Sequence, residues 1–209
     1  MNKEYYATRY AFDKDRKKIW KAICEYLQRY VVKNSTILDL GSGYGDFINT
    51  IHAKNKMAID YNSDSEKFCG KNIQFFCSSS DDLSCIPDVS IGTVFVSNLF
   101  EHLDDEQISR TLSEIKRVCK KGARLIILQP NFYYAYREYF DDYTHKKIFT
   151  HIALADLLKA SGFSSVKVFP KFLPFSFKSR LPKSYWLTKL YLALPIKPMA
   201  KQMLLVFEK

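Results

Sequence analysis

Thr36–Ile51, TILDLGSGYGDFINTI, constrains the fold more than any other stretch of this chain. The apolar run Ile37-Leu38-Asp39-Leu40 reads as a strand covered on both faces, as strands of parallel sheets are. It stops at three alternating glycines, Gly41, Gly43 and Gly45. Asp46 then opens a segment with Phe47, Ile48 and Ile51 on one helical face. A strand, a glycine turn and a helix are how an open α/β sheet builds a ligand crevice at the carboxyl end of its first strand. Glycine suits such a turn because it tolerates positive φ and lets main chain approach a ligand with no Cβ in between.

The spacing departs from the dinucleotide fingerprint. Read as G-x-G-x-x-G, it puts Asp46 where a third glycine or alanine belongs, which argues against a hydride-transferring dehydrogenase. Met57-Ala58-Ile59-Asp60 is a second strand ending in an acid, 19 residues beyond Gly41. An acid there can accept hydrogen bonds from both hydroxyls of a ribose, or can serve as an ordinary strand-end cap. Asp39-x-Gly41-x-Gly43-x-Gly45 resembles the first motif of the class I S-adenosylmethionine-dependent methyltransferases. SNLFEHL, residues 97–103, resembles the segment after strand four in many small-molecule members.

The resemblance runs from about Thr36 to Phe163. It implies a single Rossmann-like α/β domain over 1–209, with helices on both faces of a mixed seven-stranded sheet whose last strand is antiparallel. The remaining strands are read at Ile73–Cys77, Gly92–Asn98, Arg124–Gln129, Val166–Phe169 and Gln202–Glu208. Helices are expected over Asp13–Val32, within an N-terminal extension (1–34), and over Asp104–Cys119, with Gly122 as its C′ residue, and His151–Ala160. The implied cofactor is S-adenosylmethionine, leaving as S-adenosylhomocysteine. Its contacts are expected at Asp39, Gly41, Gly43, Gly45, Asp60, Ser79, Ser80, Asp81 and Asn98. The adenine loop departs from the family pattern, because the usual aspartate falls on Ser79, with Asp81 two residues later.

Methyl transfer from a sulfonium is an in-line displacement that requires neither a metal nor a covalent nucleophile, and no metal site is read here. An oxygen acceptor needs a base near the reaction pH, for which histidine is suited. His145, in the aromatic cover YYAYREYFDDYTHKK (133–147), and His102, after strand four, are the candidates. The Glu101–His102 pair could equally shape the cofactor pocket. Tyr143, Asp141 and Asp142 could orient a hydroxylated acceptor, whereas His52 and His151 read as structural.

The net charge of +10 suggests an anionic partner: a phosphorylated or lipid-linked acceptor, a membrane surface, or nucleic acid. Pro170–Lys201 carries seven Lys or Arg and no acid, with Trp186, Leu187, Leu190, Tyr191 and Leu194 at helical spacing. Such a basic aromatic insertion (170–201) between the last two strands fits peripheral binding to an anionic membrane, or a core-packing helix. The C-terminal stretch also resembles small bacterial methyltransferases of surface-polysaccharide and glycolipid synthesis, which points to a sugar or glycolipid acceptor. An RNA methyltransferase is the next reading, but the chain has no N/D-P-P-aromatic tetrapeptide for a flipped base. A SAM-binding, non-catalytic partner subunit is the third. Residues 1–12 carry four aromatics that could fold over another part of the chain or simply be loose. Five scattered cysteines fit reduced, mostly packed thiols. With no signal-peptide core and no spanning run, the expectation is a cytoplasmic protein.

Overall fold

The computed structural model describes residue 13, residues 15–174 and residues 183–209. The expectation for residues 1–12, and the basic Lys178 and Arg180, lie outside them. Seven strands form one sheet: β1 (Thr36–Leu40), β2 (Asn55–Asp60), β3 (Ile73–Cys77), β4 (Ile91–Ser97), β5 (Cys119–Pro130), β6 (Ser164–Pro174) and β7 (Ala200–Glu208). Their order is β3-β2-β1-β4-β5-β7-β6. β3 through β5 run parallel, and β7 lies antiparallel between β5 and β6. β1 pairs with β2 on one side and β4 on the other, so the strand order reverses there. Chain reversals of this kind leave a crevice beyond the strand ends.

Alternation along β1 sends side chains into two cores. Leu38 and Leu40 pack with α3 (Asp105–Val118) and α5 (His151–Ala160), between which the chain makes the one-turn α4 (Phe132–Ala135). Ile37 packs with α1 (Arg16–Leu27), α2 (Asp46–Thr50) and α6 (Tyr185–Ala193). α3 begins with a capping box in which Asp104 Oδ1 accepts the Gln107 N–H at 2.9 Å and Gln107 Oε1 accepts the Asp104 N–H at 3.1 Å. Those reciprocal bonds satisfy two of the helix's orphan donors.

Three local expectations are corrected and one element was not foreseen. α3 ends at Val118 with an extended Cys119, so Gly122, at φ 76°, is no C′ residue but a kink inside β5. A 3-10 turn over Ser63–Phe68 was not legible, because SDSEKF carries no apolar period. β6 continues to Pro174, which makes the β6–β7 connection shorter than 170–201. Of the five free cysteines, only Cys24 and Cys119 are buried.

The central strand β4 leads into the site, and its fit against the entry to β1 is tight. A Cβ added to Gly92 would lie 2.3 Å from Ser35 Oγ and 2.4 Å from Ser35 Cβ. Gly92→Ala is expected to destabilise by about 1–3 kcal/mol, the usual cost of overpacking. Chemical denaturation should show that loss, and Ser35→Gly in the same chain should recover most of it.

Candidate active site

The glycine turn is pinned by its main-chain N–H groups. Gly41 and Ser42 donate to Ile59 O at 2.8 and 3.0 Å, and Gly43 donates to Asp60 Oδ2 at 2.7 Å. Asp60 Oδ1 accepts the Asn62 N–H at 2.9 Å. Gly41, Gly43 and Gly45 all have positive φ. At Gly45 a Cβ would also meet Asn49 Nδ2 at 2.7 Å and Phe68 O at 3.2 Å, so the turn tolerates glycine alone. Asp39 is buried beside it. Burial pushes its carboxyl well above the usual range, and neighbouring Asp60 pushes it further, against a hydrogen bond from Ile48. Sequence reasoning missed Arg16. Its guanidinium pairs with Asp46 at 2.9 Å, both side chains nearly buried, and lies 5.9 Å from the Tyr44 ring centroid. An isolated Arg at a helix start carries no pattern that would have revealed it.

These residues fit S-adenosylmethionine. The turn offers close main-chain approach, and two buried acids suit a ligand with a sulfonium, an ammonium and a ribose diol. The other expected contacts are placed as follows. Asn98, at φ 49°, accepts from Gln202 Nε2 at 3.1 Å through its side-chain oxygen. Asp81 accepts a short hydrogen bond from Ser79 and pairs with Arg110 at 2.8 Å. Ser80 turns inward onto Thr111 Oγ1 at 3.2 Å, so its side chain serves packing.

A second cluster follows β4. Leu99 approaches Gly41, and Phe100–His102 forms a 3-10 turn. The cover descends on it: Lys146 and Lys147 N–H groups donate to Glu101 O at 2.8 and 3.1 Å. That clamp brings His102 and His145 together, with ring centroids 4.9 Å apart, and His145 lies 4.5 Å from the Tyr139 ring. The Thr144 hydroxyl donates to Asp142 Oδ1 at 2.6 Å, so it accepts from His102 Nδ1 at 2.9 Å. Nδ1 therefore carries the hydrogen in the neutral ring and Nε2 holds the lone pair. Burial, then His145, lowers the His102 pKa to about 4. Burial alone would raise Asp142, but its bonds from Thr144 outweigh that and the net shift is downward. Glu101 is fully buried, which raises its carboxyl to about 8. Tyr143 sits in the same loop but is 69% exposed. His151 lies against Asn131 at 3.1 Å, and His52 is held through its main chain to Gln28. Thr144 was not singled out from the sequence; only its position between Asp142 and His145 hints at it.

Residues 38–127 match the methyltransferase domain family. The fold is that of the S-adenosylmethionine-dependent methyltransferases. It is shared by a SAM-dependent methyltransferase from Archaeoglobus fulgidus, at a TM-score of 0.70 and 23% identity over 92% of this chain and 94% of that one. A possible histamine N-methyltransferase from Thermotoga maritima aligns at a TM-score of 0.69 and 18% identity, over 99% and 93%. In sequence, 109 residues are 29% identical to phosphoethanolamine N-methyltransferase 1 of Triticum aestivum. That match takes in 47% of this chain and 22% of the length of the wheat protein.

Asp39 gives a signed pH dependence. Its folded pKa is raised, so as pH climbs the unfolded chain ionises first and folding stability falls until the folded carboxyl also ionises. Asp39→Asn lacks that penalty. It should melt higher than the parent at neutral pH, with the gap closing as pH falls towards the ordinary carboxylate range. Calorimetric melting at several pH values checks this, and a constant gap would contradict it.

Proposed function

We propose that this protein transfers a methyl group from S-adenosylmethionine to an oxygen or nitrogen of a small acceptor: a sugar, a glycolipid or a related metabolite. The observation that carries the reading is the hydrogen-bonded chain Asp142–Thr144–His102, set one turn beyond β4 next to the Leu99 that faces the glycine turn. S-adenosylmethionine, when bound, supplies an electrophilic methyl carbon. Asp39, Asp60 and the turn's main chain orient that ligand. The acceptor must sit about 3 Å from the methyl carbon and in line with its leaving bond, a demand on positioning above all. His102, held with Nδ1–H to Thr144, presents Nε2 to take a proton from the acceptor, and Asp142 stabilises the charge that results. His145 is the second proton acceptor beside it.

A small acceptor accords with the wheat relative, named for methylating phosphoethanolamine, and with a net charge of +10 that favours an anionic group on it. RNA accords less well. The described lysines from Lys171 to Lys201 are engaged within the chain: Lys171 over the Tyr134 ring, Lys183 with Asp13, Lys189 with Glu25, Lys197 with carbonyls ending α6, and Lys201 with Glu138. In titration calorimetry, S-adenosylmethionine and S-adenosylhomocysteine should bind and NAD should not. Asp60→Ala should weaken both adenosyl ligands about tenfold or more, as the loss of charge-assisted hydrogen bonds implies. NAD binding without adenosyl-ligand binding would overturn the reading.

The same reading places the protein at a membrane face. α6 rests on α1 through Leu192 and Tyr185, leaving Trp186 at 73%, Leu190 at 61%, Ile196 at 79% and Met199 at 68% exposure. Among the described residues no helix is long and apolar enough to cross a membrane. With its lysines already paired, this surface offers apolar side chains more than charge, and reversible interfacial binding follows. Vesicles containing anionic lipid should carry the protein upward in flotation, with little loss when salt rises from about 0.1 to about 0.5 M, where exposed charges are screened. The double change Trp186→Ser and Leu190→Ser should abolish flotation. Binding that vanishes with salt, or that the double variant retains, would contradict this assignment.

A further inference from the structure

We propose that Glu101, His102 and His145 form a binding site for one divalent transition-metal cation. Each offers a ligand atom, and these atoms lie within 4.8 Å of one another. Around a bound ion, ligands at about 2.0–2.2 Å sit roughly 3–3.5 Å apart. The half-buried His145 ring closes that difference by rotating, because its segment is already clamped to Glu101 by the Lys146 and Lys147 N–H groups.

The independent sign of a ligand is Glu101 itself. Its side chain is completely buried, yet neither carboxylate oxygen has a hydrogen-bond partner. A buried carboxyl with neither oxygen hydrogen-bonded costs free energy in either protonation state, and a cation reaching its oxygens would offset that cost. The surroundings of His102 fit as well. Thr144 Oγ1, at 2.9 Å, takes up Nδ1, and the Thr144 hydroxyl is fixed in turn by Asp142. That leaves Nε2 as the ligand atom and gives it the outer hydrogen-bonded support that metal-binding imidazoles have.

The donor set is two imidazoles and one carboxylate, with no thiolate. It suits manganese, iron, cobalt or zinc, whereas magnesium and calcium prefer oxygen ligands. Three protein ligands leave positions open for water or an acceptor oxygen, as at catalytic sites. With a cation bound both imidazoles are ligands; the proton-taking role given to His102 above belongs to the ion-free chain. The inference concerns binding alone, so it stands or falls separately from the acceptor reading.

The test uses the full chain, stripped with a chelator and dialysed, without cofactor or acceptor. Titration calorimetry with Zn²⁺, Mn²⁺ and Mg²⁺, and visible absorption with Co²⁺, should show one equivalent of Zn²⁺ or Co²⁺ bound, with cobalt bands of nitrogen–oxygen ligation. Magnesium should not displace it. Glu101→Gln and His145→Ala should each weaken binding at least about tenfold, with circular dichroism reporting the fold. If Glu101→Gln does not fold, His145→Ala, at a half-buried loop position, decides. Absence of stoichiometric binding, unchanged affinity in His145→Ala, or magnesium as the preferred ion would overturn the proposal.

Discussion

The contact on which the site depends is the hydrogen bond from the Gly43 main chain to Asp60. It joins the turn after β1 to the tip of β2, and the Gly41 and Ser42 donations to Ile59 O reinforce it. One carboxylate thereby fixes a loop that positive φ would otherwise leave loose. The arrangement holds Asp60 close enough to raise the ionisation cost of the buried Asp39 in a protein of overall positive charge. Two buried acids are complementary to a sulfonium ligand, whose positive charge favours the ionised form of both.

Around that turn, two hydrogen-bonded systems divide the work. Arg16 ties α1 to Asp46 at the start of α2 and lies towards Tyr44. On the far side, the cover is fixed to the turn after β4 by its main chain, and the Tyr139 hydroxyl, donating to Lys147 O at 2.6 Å, ties the cover to itself. Both are connections between segments distant in sequence, and both converge at the carboxyl edge of the sheet where the strand order reverses. The rigid parallel strands supply position, and the loops supply chemistry.

Much of the frame was legible because apolar periodicity and the glycine turn act locally. β3 was read to the residue, as was α5, where Leu154, Leu157 and Leu158 mark the inner face. The antiparallel close of the sheet was legible only through family resemblance. What sequence could not give were contacts made by tertiary closure. Nothing in TLSEIKR tells that Thr111 meets Ser80. The basic segment shows the same limit in reverse. Helical spacing put Trp186, Leu190 and Tyr191 on one side, but the packing of Leu192 and Tyr185 on α1 decided which side faces out. Charge counts likewise could not foresee that the described lysines of that segment would find partners within the chain.

The placement of β7 between β5 and β6 has a consequence for how the chain emerges from the ribosome. β6 touches the sheet through β7 alone, and β7 is synthesised after it. The parallel strands from β1 to β5 can assemble as they appear, whereas β6 must wait without a neighbour while the α6 segment is made. During that interval a nascent strand and the open flank of β5 both expose unpaired edges, the period of greatest hazard for association between chains. A holding chaperone would act there, before the last strand slides into place.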